Sequence, residues 1–346
     1  MPAMKESALL SWIYGRNREL PPQVSLPPGD DMGAVWFPVP AGSAAPAPSA
    51  GGTEAGAGGD GVDVLVAVDQ LADGVHVDVG STPLSQVGRK AITRNLSDVA
   101  AMAAVPVAAV AAGCLPRDFG QERAQTLFDG LRRTAAAFDC PLVGGDISIW
   151  DHPLLLSVTV LARAEAGIAP VRRSGAAAGD LVCVTGRLGG SLIALHGYTH
   201  HLDFEPRLHL ARRLAAMCRP SAMIDLSDGL GADLPRVVEA SGGPVRLTAE
   251  VELAALPVSE AATVAAAHSG RPAWEHAVAD GEDYELLFTV DPTLAGRHLP
   301  SQIDGVPITR IGRLRRAGGD EPAMVLVDEA GQMHPALDLG WEHQGP

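Results

Sequence analysis

Two hydrophobic periods alternate along the chain. Short runs rich in β-branched and other apolar residues predict strands at 34–37, 63–68, 105–112, 154–161, 181–185, 285–290 and 308–311. Longer stretches in which apolar residues recur at helical spacing predict helices at 84–103, 122–138, 206–217 and 230–240. This alternation of strands and helices predicts an α/β or α+β protein.

Two stretches interrupt the pattern. The segment 40–61 reads PAGSAAPAPSAGGTEAGAGGDG, which predicts a flexible loop inserted in a hairpin-like connection between strands 34–37 and 63–68. The segment around 167–179, with IAPVRRSGAAAG, breaks the alternation before a new strand begins. Because 346 residues exceed one average domain, we expect two domains, 1–166 and 167–346.

Composition narrows the class of protein. Apolar residues make up 47% and charged residues 19%, so a full core is expected. The 41 acidic residues exceed the 26 basic ones by 15 and no basic stripe stands out, so nucleic acid is not the expected partner. A phosphate substrate would then require metal ions.

Membrane and secretory signals are missing from the sequence. No apolar run approaches the length of about 18 residues that spans a bilayer, and the first 18 residues do not resemble a signal peptide. The cysteines are scattered without a C-x-x-C pair, which favours buried thiols in a reducing cytoplasm over a disulfide framework or a zinc site; they are Cys114, Cys140, Cys183 and Cys218.

Aspartates recur in short turns, several of them directly after strand-like runs. The contexts are GDD at 29–31, VDQ at 68–70, NLSD at 95–98, GGD at 144–146, DLSDG at 225–229 and GED at 281–283. Any one of them alone is ordinary turn chemistry. Six together favour Mg²⁺ shared with substrate phosphates, and therefore phosphoryl transfer. The P-loop, protein-kinase and G-x-S-x-G signatures are absent.

An ordered set of motifs resembles one family. The motifs are GDD at 29–31, VDQLADGVHVD at 68–78, GRKAITRNLSDVAAMAAVP at 88–106, VGGD at 143–146, RRSGAAAGD at 172–180, VTGRLGGS at 184–191, AMIDLSDGLGADL at 222–234, GEDYELLFT at 281–289 and GWEH at 340–343. In this order they resemble the thiamine-monophosphate kinases, within the superfamily of aminoimidazole ribonucleotide synthetase.

The resemblance implies a fold and an activity. The expected fold is the two-domain synthetase-like α/β (α+β) architecture, in which an N-terminal sheet domain binds ATP and Mg²⁺ and forms a homodimer, followed by a C-terminal α/β domain. The implied activity is ATP-dependent phosphorylation of thiamine monophosphate to thiamine diphosphate with several Mg²⁺ ions. The implied location is the cytoplasm, with neither nucleic acid nor a membrane as a partner.

The resemblance also assigns roles by position. The implied Mg²⁺ ligands are Asp30, Asp31, Asp69, Asp98, Asp146, Asp225 and Asp228. Three of these are the implied catalytic residues: Asp98, Asp146 and Asp228. The implied contacts to ATP are Gly145, Asp146, Arg173 and Ser227. The implied contacts to thiamine monophosphate are His76, Glu282 and Trp341.

Each assignment has an ordinary structural alternative. Asp98 follows Ser97, and its alternative role is a helix N-cap. The alternative for His76 is an ordinary histidine at the edge of a strand. Trp341 has C-terminal packing as its alternative, and Glu282 a surface ion pair. Tyr284, with the strand at 286–288, is expected in the core.

The chain also departs from the family pattern. Ala67, Val68 and Ile147 stand where hydroxyl side chains are usual, although every expected carboxylate is in place. Two alternatives therefore accompany the kinase hypothesis. One is a related superfamily enzyme with a different acceptor, and the other is a non-catalytic nucleotide-binding paralogue.

Overall fold

The computed structural model describes residues 6–16, 20–38, 61–195, 199–243, 245–336 and 339–341. Up to residue 163 the order of elements is α1 (Glu6–Arg16), β1 (Val24–Leu26), β2 (Gly33–Pro38), β3 (Gly61–Ala72), α2 (Leu84–Ala101), β4 (Val105–Pro116), α3 (Gln121–Ala137), β5 (Leu142–Trp150) and β6 (Leu155–Arg163). The six strands form one sheet in the order β1-β2-β3-β6-β4-β5.

The second part of the chain forms another sheet. Its elements are β7 (Leu181–Thr185), α4 (His200–Asp203), α5 (Leu208–Cys218), β8 (Ala222–Asp225), α6 (Leu230–Ala240), β9 (Leu247–Glu252), a 3₁₀ turn (Leu253–Ala255), α7 (Glu260–Ser269), α8 (Ala273–Ala279), β10 (Leu286–Val290), α9 (Pro292–His298), β11 (Gln302–Ile303), β12 (Val306–Arg316), β13 (Met324–Val327) and β14 (Met333–Pro335). The sheet order is β14-β13-β9-β12-β7-β10-β8, and β11 pairs only with β12.

These elements confirm the mixed α/β class. Every strand and helix predicted from the pattern is present; the bounds of the strand at 181–185 and the helix at 230–240 are as predicted, and the others differ by a few residues. Helix α2 ends at Ala101 rather than at residue 103, because Ala103 takes a left-handed backbone conformation with φ +52°. Strands β2 and β3 pair antiparallel, which confirms the hairpin-like connection. Its predicted insertion at 40–61 lies, apart from Gly61, outside the described residues.

Some elements escaped the pattern. Helix α7 has the sequence EAATVAAAHS, whose alanines lie on all sides, so that no apolar stripe marks it. Strand β8 has only four residues, which gives too short a window for a period. The segments of α8 and α9, with seven residues each, are also too short to show a helical period.

Helix α2 lies between the two sheets. Its own sheet contacts it through β3, β6 and β4, and it also contacts α4, α5 and β8 of the second sheet's layer. Two glycines let it approach α3 closely: a Cβ on Gly88 would lie 2.4 Å from the Leu127 carbonyl oxygen, and one on Gly130 would lie 2.6 Å from that of Ser85. Polar groups on α2 are therefore held between the two halves of the molecule.

The cysteines and the helices bear on the predictions about disulfides and membrane spans. All four cysteines are free; Cys114 is half-buried, and the other three are buried as predicted. No helix within the described ranges has both the length and the apolar character to cross a bilayer.

Candidate active site

Three carboxylates from distant parts of the sequence converge beside α2. Asp31 lies in the turn between β1 and β2, Asp98 in the last turn of α2, and Asp225 at the end of β8. One oxygen from each lies within 4.8 Å of the others. Since α2 begins at Leu84, Asp98 is far from the helix start, and the N-cap alternative for it is wrong.

Neighbouring donors fix these carboxylates. The Ser97 hydroxyl donates to Asp225 Oδ2 at 2.5 Å. Asp30 accepts backbone N–H bonds from Asp31 and Arg173, both at 3.0 Å, which joins the first turn to the segment preceding β7. The Arg173 guanidinium then donates to Asp31 Oδ1 at 2.7 Å. The convergence is therefore built from hydrogen bonds that link both halves of the chain.

The electrostatics of the three carboxylates are unfavourable without a cation. Burial, together with the charges of Asp69, Asp225 and Asp31, raises the pKa of Asp98 well above its usual range. Burial and the charge of Asp31 do the same for Asp225. Asp31 Oδ2 is buried without a hydrogen-bond partner. Carboxylate oxygens are the ligands that Mg²⁺ prefers, so the donor set fits a hard divalent cation.

Asp69, another predicted metal ligand, lies beside this group of three carboxylates. The Asp69 backbone N–H donates to Asn95 Oδ1 at 3.1 Å, and its carboxylate lies 3.7 Å from Arg94 Nε. Burial, opposed by Arg94, raises the pKa of Asp69, and the charges of Asp228 and Glu282 add to the rise. The Asp69 carboxylate is therefore near enough to feel the charges of Asp98 and Asp228, although it is not a member of the three.

Asp228 lies in a network of its own. Its carboxylate accepts from Arg236 at 2.6 Å, and its backbone N–H donates to Asp233 Oδ2 at 3.0 Å. Burial and the charge of Asp228 raise the pKa of Asp233 to about 7. Ser227 accepts the Glu282 backbone N–H through its carbonyl at 2.7 Å. This loop thereby connects the carboxylates to the segment that carries Glu282.

Two arginines beside the carboxylates each have an N–H group that donates no hydrogen bond. The Nε atoms of Arg94 and Arg173 are buried, and neither has a hydrogen-bond partner. A planar guanidinium with spare N–H groups suits phosphate oxygens. The resemblance assigns Arg173 to ATP, and its guanidinium lies against Asp31 with 20% of the side chain exposed.

Gly145 and Asp146 do not belong to the group of Asp31, Asp98 and Asp225. Both belong to β5, the last strand of the first sheet, where Asp146 pairs with Ala112 and is exposed. Gly145 allows close strand approach, because a Cβ there would lie 1.9 Å from the Ala111 carbonyl oxygen. Asp146 is not a member of the group of three. Its roles in metal binding and catalysis, and the ATP contact of Gly145, stay predictions.

The three residues assigned to the acceptor lie beside Lys90 of α2 or beside Asp228. The His76 carbonyl accepts from Lys90 Nζ at 2.8 Å, and its Nδ1 accepts the Ala72 backbone N–H at 3.0 Å. Glu282 forms an ion pair with Lys90 and keeps only 18% of its side chain exposed, so a surface ion pair is wrong for it. The Trp341 backbone N–H donates to the Asp228 carbonyl at 2.8 Å, and 55% of the residue is exposed.

Tyr284 and the residues after it confirm the packing prediction. Tyr284 is 3% exposed, and the strand residues 286–288 are buried. Tyr284 also stacks on Phe204, with ring centroids 4.0 Å apart.

Sequence reasoning overlooked the polar residues of α2 other than Asp98. Lys90, Arg94, Asn95 and Ser97 all contact site residues, and all lay inside the motif at 88–106. A signal was available, because positions 90, 94, 97 and 98 recur at helical spacing. These four positions share one face of α2, the face that meets the site residues.

Comparisons with known proteins agree with this geometry. The family described as AIR synthase related protein, N-terminal domain, matches residues 52–164. A solved structure of AaThiL complexed with AMPPCP and TMP superposes with a TM-score of 0.75 at 26% identity, covering 98% of this chain and 97% of that one. The fold and site thus define an enzyme with an AIR synthase-related architecture.

Two curated relatives narrow the class. The thiamine-monophosphate kinase of Rhodopirellula baltica is 39% identical over 309 residues, 89% of each chain. That of Mycobacterium tuberculosis H37Rv is 34% identical over 325 residues, 90% of this chain and 85% of the relative. The chain belongs to the thiamine-monophosphate kinase family.

The crowded carboxylates lead to a stability prediction. Asp98→Asn removes one buried negative charge while keeping the side-chain shape. We expect the melting temperature of the metal-free protein to rise by roughly 2–4 °C, the shift that about 1 kcal/mol gives in a domain of 150–250 residues. We also expect the stabilisation by added Mg²⁺ to become smaller. Thermal unfolding in EDTA and in Mg²⁺ measures both effects.

Asp118→Asn, at an exposed aspartate after β4, is the matched control and should change neither value. A lower melting temperature of Asp98→Asn in EDTA, with the Mg²⁺ effect intact, would contradict the interpretation.

Proposed function

We propose that this protein transfers the γ-phosphoryl group of ATP to the phosphate of thiamine monophosphate, giving ADP and thiamine diphosphate. The observation that carries the proposal is the group formed by Asp31, Asp98 and Asp225, with Arg173 bound to it and the Glu282 loop hydrogen-bonded to the same segment. The relatives at 39% and 34% identity, both thiamine-monophosphate kinases, support the same reaction. So does the structural relative complexed with AMPPCP and TMP.

We further propose that Mg²⁺ ions bind at the carboxylates. The proposed ligands are Asp30, Asp31, Asp69, Asp98, Asp146, Asp225 and Asp228, of which Asp98, Asp146 and Asp228 are the proposed catalytic residues. When bound, Mg²⁺ neutralises charge that would otherwise keep two anionic substrates apart. The support from this chain is the raised pKa of Asp98 and Asp225 and the buried, unpartnered Asp31 Oδ2.

The remaining roles concern binding and orientation. Arg173, Ser227 and Gly145 are the proposed ATP contacts, and the spare Nε–H of Arg173 supports a phosphate contact. The acceptor phosphate is already ionised near neutral pH, so that no strong general base is required. Catalysis then depends on holding two phosphates in line.

The acceptor side is proposed to use His76, Glu282 and Trp341. The exposed indole of Trp341 suits a cationic thiazolium ring, and its backbone is anchored to Asp228. The Glu282 carboxylate is a second favourable neighbour for a cation. Together they place a positively charged heterocycle next to the metal-binding loop.

A coupled assay distinguishes the three hypotheses. With ATP, Mg²⁺ and thiamine monophosphate, we expect ADP release, and Asp98→Asn should lower kcat by roughly 100-fold or more, as for the loss of one strong electrostatic contact to a transition state. Asp118→Asn is the control and should retain wild-type turnover.

A panel of other phosphorylated acceptors completes the assay. Faster ADP release with another acceptor would favour the related-enzyme alternative. Tight Mg·ATP binding without ADP release on any acceptor would favour the non-catalytic paralogue and contradict the proposal.

The assignment of separate functions to the two parts of the chain is also a proposal. We propose that residues 1–166 form the ATP-binding, Mg²⁺-binding and dimerisation domain and residues 167–346 the second α/β domain. The order of strands supports this division, since β1–β6 form one sheet and β7–β14 the other. A cytoplasmic location is proposed because the reaction consumes ATP.

A homodimer through the first sheet is also proposed. Alternate residues of β4, such as Ala109 and Ala111, are buried, whereas Val110 between them is 38% exposed. On the same sheet Val68 is 61% exposed and Val143, on the end strand β5, is 65% exposed. Exposed apolar side chains on a sheet favour association with a second copy.

Val110→Lys tests the dimer. We expect this charge on the exposed sheet face to shift the protein from dimer to monomer in sedimentation at micromolar concentration, because an unpaired lysine resists burial in an apolar interface. Met217→Lys, at an exposed position on α5, is the control and should sediment as the wild type does. A wild-type chain that is already monomeric would contradict the proposal.

A further inference from the structure

Lys90 is a fully buried lysine in the middle of α2, with a relative exposure of 0%. Lysine is almost never buried unless its ammonium is paired. Its Nζ donates to the His76 carbonyl at 2.8 Å and to the Glu282 carboxylate, and His201 Nδ1 lies 2.7 Å away. The ammonium is therefore paired with a carboxylate and a carbonyl, and His201 Nδ1 lies beside both Lys90 and Glu282.

The three groups around the ammonium belong to three separate segments. His76 follows β3, His201 lies in α4, and Glu282 lies in the loop before β10. Lys90 is thus the point where the first sheet, helix α4 and the loop of the second sheet are joined. Two of its partners, His76 and Glu282, are proposed acceptor contacts.

Other residues of α2 hold α4 in the same place. Arg89 donates to the Phe204 carbonyl at 2.8 Å, and Gln86 donates to Asp203 at 3.2 Å. Phe204 in turn stacks on Tyr284, two residues beyond Glu282. The position of His201 beside Lys90 is therefore fixed by the contacts of α2 with the end of α4 and by the stacking of Phe204 on Tyr284.

The Glu282 loop has a strained backbone. Glu282 has φ +57° and Tyr284 has φ +50°, both in the left-handed region that non-glycine residues rarely adopt. Backbone bonds hold this conformation, from Glu282 N–H to Ser227 O at 2.7 Å and from Tyr284 N–H to Leu226 O at 2.8 Å. The strain is maintained at the residue whose carboxylate meets Lys90.

We propose that Lys90 is a positioning residue for the acceptor half of the site, which orients Glu282, His201 and the His76 segment without itself touching the substrate. This inference rests on the proposed function. Its consequence is selective: Lys90 governs the use of thiamine monophosphate and leaves the use of ATP largely unchanged.

The charges around Lys90 agree with this role. Burial alone would raise the pKa of Glu282, but the neighbouring His201 and the charge of Lys90 hold it at about 2. Burial lowers the pKa of Lys90 to about 8, although Glu282 opposes the shift and Arg94 adds to it. The groups facing the ammonium are Glu282, His201, His76 and Arg94. Above about pH 8 the ammonium therefore loses its proton, and the pairing with Glu282 weakens.

Lys90→Met, which keeps an unbranched side chain of similar volume but removes the ammonium, tests the proposal. We expect the KM for thiamine monophosphate to rise roughly 10-fold or more, with the KM for ATP within about 2-fold of wild type. In the wild type, the KM for thiamine monophosphate should rise as the pH passes about 8, and in Lys90→Met this rise should be absent. Thr93→Val is the matched control, since Thr93 is equally buried in α2 but bonds only to carbonyls of its own helix.

Because Lys90→Met removes the ammonium beside the buried Glu282 carboxylate and destabilises the fold by that alone, the double variant Lys90→Met/Glu282→Gln is measured beside Glu282→Gln. If Lys90 acts through Glu282, the double variant should have the same acceptor KM as Glu282→Gln. Equal rises in both KM values, or effects of the two substitutions that multiply, would overturn the proposal. A wild-type protein that forms no ADP with thiamine monophosphate would instead reject the proposed function.

Discussion

The main physical constraint on the structure is the mutual repulsion of three buried carboxylates. Asp31, Asp98 and Asp225 bring oxygens within 4.8 Å of one another in a region where burial already disfavours charge. Like charges at this distance are tolerated in proteins when protons or cations neutralise them. The fold must therefore hold the three against their repulsion, and a divalent cation is the partner that makes their proximity favourable.

Helix α2 is the element that bears this constraint. It is clamped against α3 at Gly88 and Gly130 and lies between the two sheets. Its C-terminal end carries Ser97 and Asp98 to the carboxylates, whereas Lys90, about two turns earlier, reaches Glu282. One rigid helix thus sets the distance between the two halves of the site, so that a change in its packing would affect both.

Much of the fold could be predicted from periodicity, because strands such as 181–185 and helices such as 230–240 carry clear patterns. The carboxylates at strand ends were also predictable from their turn contexts. The role of Lys90 was not, since periodicity does not distinguish a buried, paired lysine from a solvated one. The position of Asp146 apart from the three carboxylates was not predictable either, because the sequence does not reveal that its strand is an exposed end strand of the first sheet.

The most direct test of the account is a crystal structure of the protein grown with Mn²⁺, which takes the same oxygen ligands as Mg²⁺ and scatters anomalously. We expect an anomalous peak coordinated by carboxylate oxygens of Asp31, Asp98 and Asp225 in the wild type, and its loss in Asp98→Asn. Mn²⁺ bound only elsewhere, with the three carboxylates unliganded, would contradict it.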